Sequence, residues 1–99
     1  MTQFKIANTN ELADNQGKLV SIEGRDIALF KHDGKFFAID NECPHRGGPL
    51  SEGPVADGMV TCPFHAWQFR LADGKHSFSD VSVASYKVEI KGEEVFIEL

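Results

Sequence analysis

Cys43-Pro44-His45-Arg46-Gly47-Gly48-Pro49-Leu50 and, after sixteen residues between His45 and the next cysteine, Cys62-Pro63-Phe64-His65-Ala66-Trp67-Gln68-Phe69 decide how this chain is read. They hold both of its cysteines and two of its four histidines, as Cys-x-His followed by Cys-x-x-His. Thiolate beside imidazole suits zinc or an iron-sulfur centre and suits magnesium or calcium poorly. Zinc sites with two Cys and two His usually pair Cys with Cys across a turn and His with His on a helix. Here each short loop supplies one of each. Pro44, Pro49 and Pro63 fix backbone dihedrals, so the loops lose less freedom on wrapping a bound group. Gly47 and Gly48 are expected to turn the chain through dihedrals that other residues resist.

Outward from these loops the dominant period is two, with frequent turn residues, which points to short antiparallel strands. Phe4-Lys5-Ile6 begins one strand, and Thr9-Asn10-Glu11-Leu12 is expected to form a single capped helical turn. Lys18 to Glu23 and Asp26 to Lys31 read as strands about a turn at Gly24-Arg25. The Asp33-Gly34 pair predicts a tight hairpin into a strand from Phe36 to Ile39. Met59-Val60-Thr61 and Trp67 to Leu71 flank the second loop, with a turn at Ala72 to Lys75. Tyr86 to Ile90 and Val95 to Glu98 alternate apolar with polar about Lys91 to Glu94, giving the clearest hairpin. His32 and His76 sit beside turn residues and are expected to be solvent-exposed and not ligands.

Composition bounds the function. Ninety-nine residues make one domain with a modest core. At 41% hydrophobic with eight Phe, wholesale disorder is excluded. A net charge of −5, with ten Lys and Arg spread along the chain, argues against nucleic-acid binding and favours a partner with a basic docking surface. Two cysteines inside a ligand motif are too few for a disulfide scaffold and favour a reducing compartment. No apolar run approaches a signal peptide or a membrane span, so a soluble, cytoplasmic protein is expected.

With both boxes at this separation in one short chain, the sequence resembles the Rieske family, and more closely its small soluble ferredoxins. The resemblance implies an all-β fold, an antiparallel β sandwich or barrel with a two-loop cluster-binding insertion at about residues 42–67 in one domain spanning 1–99. It implies one Rieske-type [2Fe-2S] cluster, with Cys43 and Cys62 on one iron and His45 and His65 on the other. Arg46, Gly48, Leu50, Phe64 and Trp67 would surround these ligands. Glycine there lets backbone N–H groups approach the sulfides, and Leu50 with Phe64 would form an apolar lid. Trp67 would shield the cluster or join a docking patch; equally, it would pack on the scaffold. Ala66 stands where the family usually has Gly, and Ser79 to Ser85 lacks the proline of the family's covering loop, so the docking face is left open.

High-potential Rieske proteins of cytochrome bc complexes place Ser and Tyr two and four residues after the second His ligand and add a disulfide. Here those positions are Trp67 and Phe69. Without the two hydroxyl donors to sulfur the cluster should be harder to reduce, toward the bottom of the span of about −150 to +300 mV.

A Rieske oxygenase also needs a mononuclear iron, typically on two His and a carboxylate. Only His32 and His76 remain for one, and no second domain is expected. The resemblance therefore implies an electron carrier with no catalytic site of its own, fed by a flavin, NAD(P)H-dependent ferredoxin reductase and discharging to a terminal oxygenase, as in ring-hydroxylating dioxygenase systems. Such a carrier alternates partners, and a monomer is expected. Two alternatives stay open: a small Rieske-like subunit of an assimilatory nitrite reductase or other multi-component enzyme, and a zinc-stabilised interaction module without redox activity.

Overall fold

The computed structural model describes residues 2–44, 47–64, 67–76 and 81–99, and within them the chain is a succession of short antiparallel strands. In chain order these are β1 (Gln3–Asn8), β2 (Gln16–Ile22), β3 (Arg25–His32), β4 (Lys35–Asp40), β5 (Val55–Ala56), β6 (Met59–Thr61), β7 (Gln68–Arg70), β8 (Ser85–Tyr86), β9 (Val88–Lys91) and β10 (Glu94–Glu98). Single 3₁₀ turns lie at Thr9–Glu11 and Leu50–Glu52. The first carries the expected cap, although Asn8 rather than Thr9 is the capping residue, in a reciprocal box with Glu11. Among the described residues no helix is long and apolar enough to cross a membrane.

Among the described residues three sheets form, ordered β1-β10-β9, β2-β3-β4-β8 and β5-β6-β7. The β3 run Ile27-Ala28-Leu29-Phe30 explains their arrangement. All four side chains are fully buried, yet successive residues point to opposite faces of a strand. Ile27 and Leu29 join Ala7, Leu12, Ala38, Val95 and Ile97 in one core beneath the β1-β10-β9 sheet. Ala28 and Phe30 face the other way and join Ile39, Leu50, Val60, Phe69, Leu71 and Val83, together with Cys43 and Cys62. One strand thus serves two cores.

Turn chemistry sets the register. Glu23-Gly24, Asp33-Gly34 and Asp57-Gly58 each show the paired positive φ values of a type I′ turn. The β2–β3 turn therefore sits one residue earlier than the expected Gly24-Arg25: β2 ends at Ile22 instead of Glu23, β3 begins at Arg25, and these two residues form the closing pair. β5 escapes sequence reading because two residues carry no period, although the Asp57-Gly58 pair marks its hairpin with β6.

The expected strand from Tyr86 to Ile90 is two strands. Ser85 and Tyr86 pair with β4, whereas Val88 to Lys91 pair with β10, so the chain changes sheets at Lys87. Two contacts hold the crossing: Glu98 N donates to Lys87 O at 3.1 Å, and Tyr86 Oη donates to Asp40 Oδ1 at 2.5 Å. Asp40 Oδ2 also accepts from Ala84 N at 3.1 Å. Partial burial, then the Asp40 hydrogen bond and charge, hold the Tyr86 phenol above its ordinary range, with Arg25 opposing.

Two tests follow from this packing. Phe30→Ala should lower unfolding stability by about 3–5 kcal/mol in urea titration, because it empties the core that holds the cysteines. A phenol whose folded pKa is raised above 10.0 stabilises the fold fully below that pH and loses the contribution as pH rises through the raised value. Tyr86→Phe should therefore be less stable than the parent at neutral pH, and the gap should close on the alkaline side.

Candidate metal centre

Two hairpin-like loops rise from the second core. The first leaves β4 and returns at the Leu50–Glu52 turn. Three closures pin it: Leu50 N donates to Asn41 O at 2.7 Å, Glu42 bridges Pro49, and Cys43 N donates to Gly48 O at 3.0 Å. Inside the loop Gly47 N donates to Cys43 O at 2.7 Å. The second loop joins β6 to β7, where Thr61 pairs with Gln68 and Cys62 N donates to Trp67 O at 2.8 Å. The bases of the loops are also tied to each other. Thr61 N donates to Pro54 O at 3.0 Å, and a Cβ on Gly53 would lie 2.0 Å from Thr61 O, so only glycine fits the crossing.

The structure brings Cys43 and Cys62 into one core, each about 1% exposed. Gly48 is the contact between their loops. A Cβ there would lie 2.6 Å from Cys62 Sγ and 3.2 Å from Phe64 Cγ, while the Gly48 carbonyl takes the Cys43 N–H. The two glycines thus have different reasons. Gly47 has φ +68°, as expected, but Gly48 is required by the space beside a sulfur and not by a left-handed dihedral. Two buried thiols in one core, one of them with the Gly48 backbone packed against it, supply the soft sulfur donors that suit an iron-sulfur centre or zinc.

The other expected residues divide. His45, Arg46, His65 and Ala66 lie outside the described residues. Leu50 is fully buried in the core that contains Cys43 and Cys62. Phe64 is 63% exposed, with its ring beside Gly48 on the outer side. Trp67 is half-buried and packs on the cysteine core. His32 and His76, expected to be exposed, are both half-buried. His32 Nδ1 donates to Asn15 Oδ1 at 2.6 Å. His76 bridges Phe69 across the Ala72–Lys75 turn, and its ring centroid lies 4.3 Å from that of Trp67. A turn in the sequence did not disclose that it folds its exit residue back onto an aromatic pair.

Asn41 was also hidden in the sequence. It is 7% exposed, and its Oδ1 accepts from Ser51 N at 2.8 Å while its own N–H donates to Asp26 O at 3.0 Å. A short polar side chain that satisfies a neighbouring backbone N–H is a common loop device, and nothing in the sequence separates it from a surface Asn. On the outer side of the first loop, Gly24, Arg25, Asp26, Asp40, Glu42 and Pro44 line a polar cleft of about 380 Å³.

Comparison with known proteins agrees with this geometry. The Rieske [2Fe-2S] domain family matches residues 2–87. The 3-phenylpropionate/cinnamic acid dioxygenase ferredoxin subunit of Photorhabdus laumondii is 35% identical over 100 residues, covering 98% of this chain and 94% of that one. Among solved structures, the Sphingomonas yanoikuyae B1 ferredoxin superposes with a TM-score of 0.90 at 25% identity, over 99% of both chains. A Mycobacterium tuberculosis structure, whose name proposes an NADH-dependent nitrite reductase small subunit, gives 0.91 at 27% identity over 97% of this chain and 93% of its own. The all-β antiparallel architecture expected from the sequence is the architecture of these ferredoxins. The chain therefore belongs to the Rieske [2Fe-2S] domain family, and its cofactor is one [2Fe-2S] cluster of the Rieske type.

Proposed function

We propose that this chain is a soluble, cytoplasmic, low-potential Rieske ferredoxin, one domain over residues 1–99, that carries single electrons from a reductase to a terminal oxygenase. The observation that carries this reading is the convergence of Cys43 and Cys62 in one buried core with Gly48 packed between their loops. Cys43 and Cys62 would hold one iron and His45 and His65 the other. When bound, such a cluster accepts and gives up one electron.

The chain's own residues prepare the site for that task. Burial of both cysteines among Ile39, Leu50, Val60 and Phe69 keeps water from the sulfur side. The loop closures at Cys43 and Cys62 hold the backbone in place, so little needs to move when the charge changes. Phe69 is fully buried and offers no hydroxyl to sulfur, and Trp67 offers none either, which supports a potential near the low end of the family. Phe64 and Pro44, exposed beside the loops, and the carboxylates of Asp26, Asp40 and Glu42 in the adjacent cleft, suit a partner surface with an apolar centre and a basic rim. The electron donor would be a flavin, NAD(P)H-dependent reductase, and the carrier would be monomeric, with no catalytic site of its own.

A second reading is favoured by the 27% identical Mycobacterium tuberculosis structure: a fixed small subunit of a nitrite reductase or similar assembly. Stable co-purification with one large subunit would select it.

Anaerobically assembled protein should contain iron and acid-labile sulfide in the ratio of the [2Fe-2S] formula. It should also show a reversible one-electron couple near the bottom of the span of about −150 to +300 mV. A strongly positive midpoint would refute the low potential, and a colourless zinc protein without sulfide would refute the carrier. Gly48→Ala should fold, as judged by far-ultraviolet circular dichroism, but hold less cluster, because its methyl group collides with Cys62 Sγ at a cost of about 1–3 kcal/mol. Full cluster occupancy in that variant would contradict the role given to this contact.

A further inference from the structure

We propose that His76 is a positioning residue for the second ligand loop: its imidazole, set against the Trp67 indole and the edge of Phe69, keeps Trp67 seated so that the loop closes behind Cys62. The inference rests on the reading of Cys62 as a cluster ligand and adds a residue outside both ligand boxes.

The steps are local and continuous. Gly74 N donates to Arg70 O at 2.8 Å and Arg70 N to Lys75 O at 2.9 Å, which returns the chain along β7. Gly74, at φ +74°, has room for no Cβ, since one would lie 2.3 Å from Val83 O. This turn sets His76 opposite Phe69 in a β-bridge, and His76 N donates to Val81 O at 2.9 Å, so the backbone of His76 is held from both sides. Its ring then has little choice of place. It lies 4.3 Å from Trp67 at 52° between planes and 5.4 Å from Phe69 in an edge-on arrangement, and its Nε2 is buried. Trp67 and Phe69 are themselves 6.4 Å apart, so the three rings form one aromatic group. Such pairs favour tilted and edge-on geometries over face-to-face stacking.

That group bears on the ligand loop through Trp67. The Trp67 carbonyl accepts the Cys62 N–H at 2.8 Å, and the Trp67 ring packs on the core that contains both cysteines. Removing the imidazole opens space beside the indole, so the ring can reorient and its packing on the core that contains Cys62 loosens. The loop that carries Cys62 is then held less firmly. A ring of similar size without nitrogens should restore the packing, which separates a positioning role from one that depends on imidazole chemistry.

The test compares the loaded wild-type protein with His76→Ala and His76→Phe. One readout is the rate of cluster bleaching under a chelator; the other is the emission maximum of Trp67, the one tryptophan in the chain. His76→Ala should lose its cluster about tenfold faster, the lower end of what loss of an outer partner costs a metal site. Its Trp67 emission should shift to the red. His76→Phe should match the wild type in both. Wild-type bleaching and emission in His76→Ala would overturn the proposal, as would His76→Phe behaving like His76→Ala. If His76→Ala does not fold, His76→Gln replaces it, with the same expected and overturning results. A wild-type chain that assembles no cluster contradicts the ligand assignment instead, and Trp67 emission, which needs no cluster, still decides the role of His76.

Discussion

The contact at Gly48 is the constraint on which the site depends. Its carbonyl takes the Cys43 N–H, and its bare Cα lies where any side chain would strike Cys62 Sγ. Two loops from separate sheets are therefore locked to each other through one residue. The tie between Thr61 and Pro54 repeats the arrangement at the base, where Gly53 is the residue without room for a Cβ. Loops held at both levels can present ligands without a helix to support them.

The scaffold beneath has a matching economy. β3 buries Ile27 and Leu29 on one face and Ala28 and Phe30 on the other, so a single strand joins the core under the outer sheet to the core that contains the cysteines. β4 repeats the division with Ala38 and Ile39. The first ligand loop leaves directly from β4, and the Tyr86–Asp40 hydrogen bond fastens the crossing strand to that same exit. Rigidity at the loop base suits a centre whose charge changes by one electron, because less of the surrounding protein has to rearrange.

Much of this was legible in the residues. The boxes at Cys43 and Cys62 identified the loops, and period-two alternation with Asp-Gly pairs located most strands. What stayed hidden depends on distance in space and not in sequence. Whether Gly48 is needed for its dihedral or for its lack of a side chain is decided by Cys62, fourteen positions away. Leu50 reads only as an apolar residue beside a ligand box, and it is the 3₁₀ turn at Leu50–Glu52 that directs it into the core. Tyr86 to Ile90 alternates as one strand because alternation does not record a change of sheet. His76 reads as a turn residue because its aromatic partners lie across a fold-back that a linear pattern does not display.

The central claim is that two thiolates and two imidazoles, from Cys43, Cys62, His45 and His65, hold one cluster between the paired loops. Pulsed electron paramagnetic resonance of the reduced protein, grown with nitrogen-15 histidine, tests it most directly. Coupling of the unpaired electron to two histidine nitrogens, both kept when His32 is replaced or His76 is changed to Phe and one lost when His45 or His65 is replaced, is the predicted result. A spectrum with no histidine coupling, or one in which a nitrogen coupling is lost on replacing His32 or on His76→Phe, would contradict it.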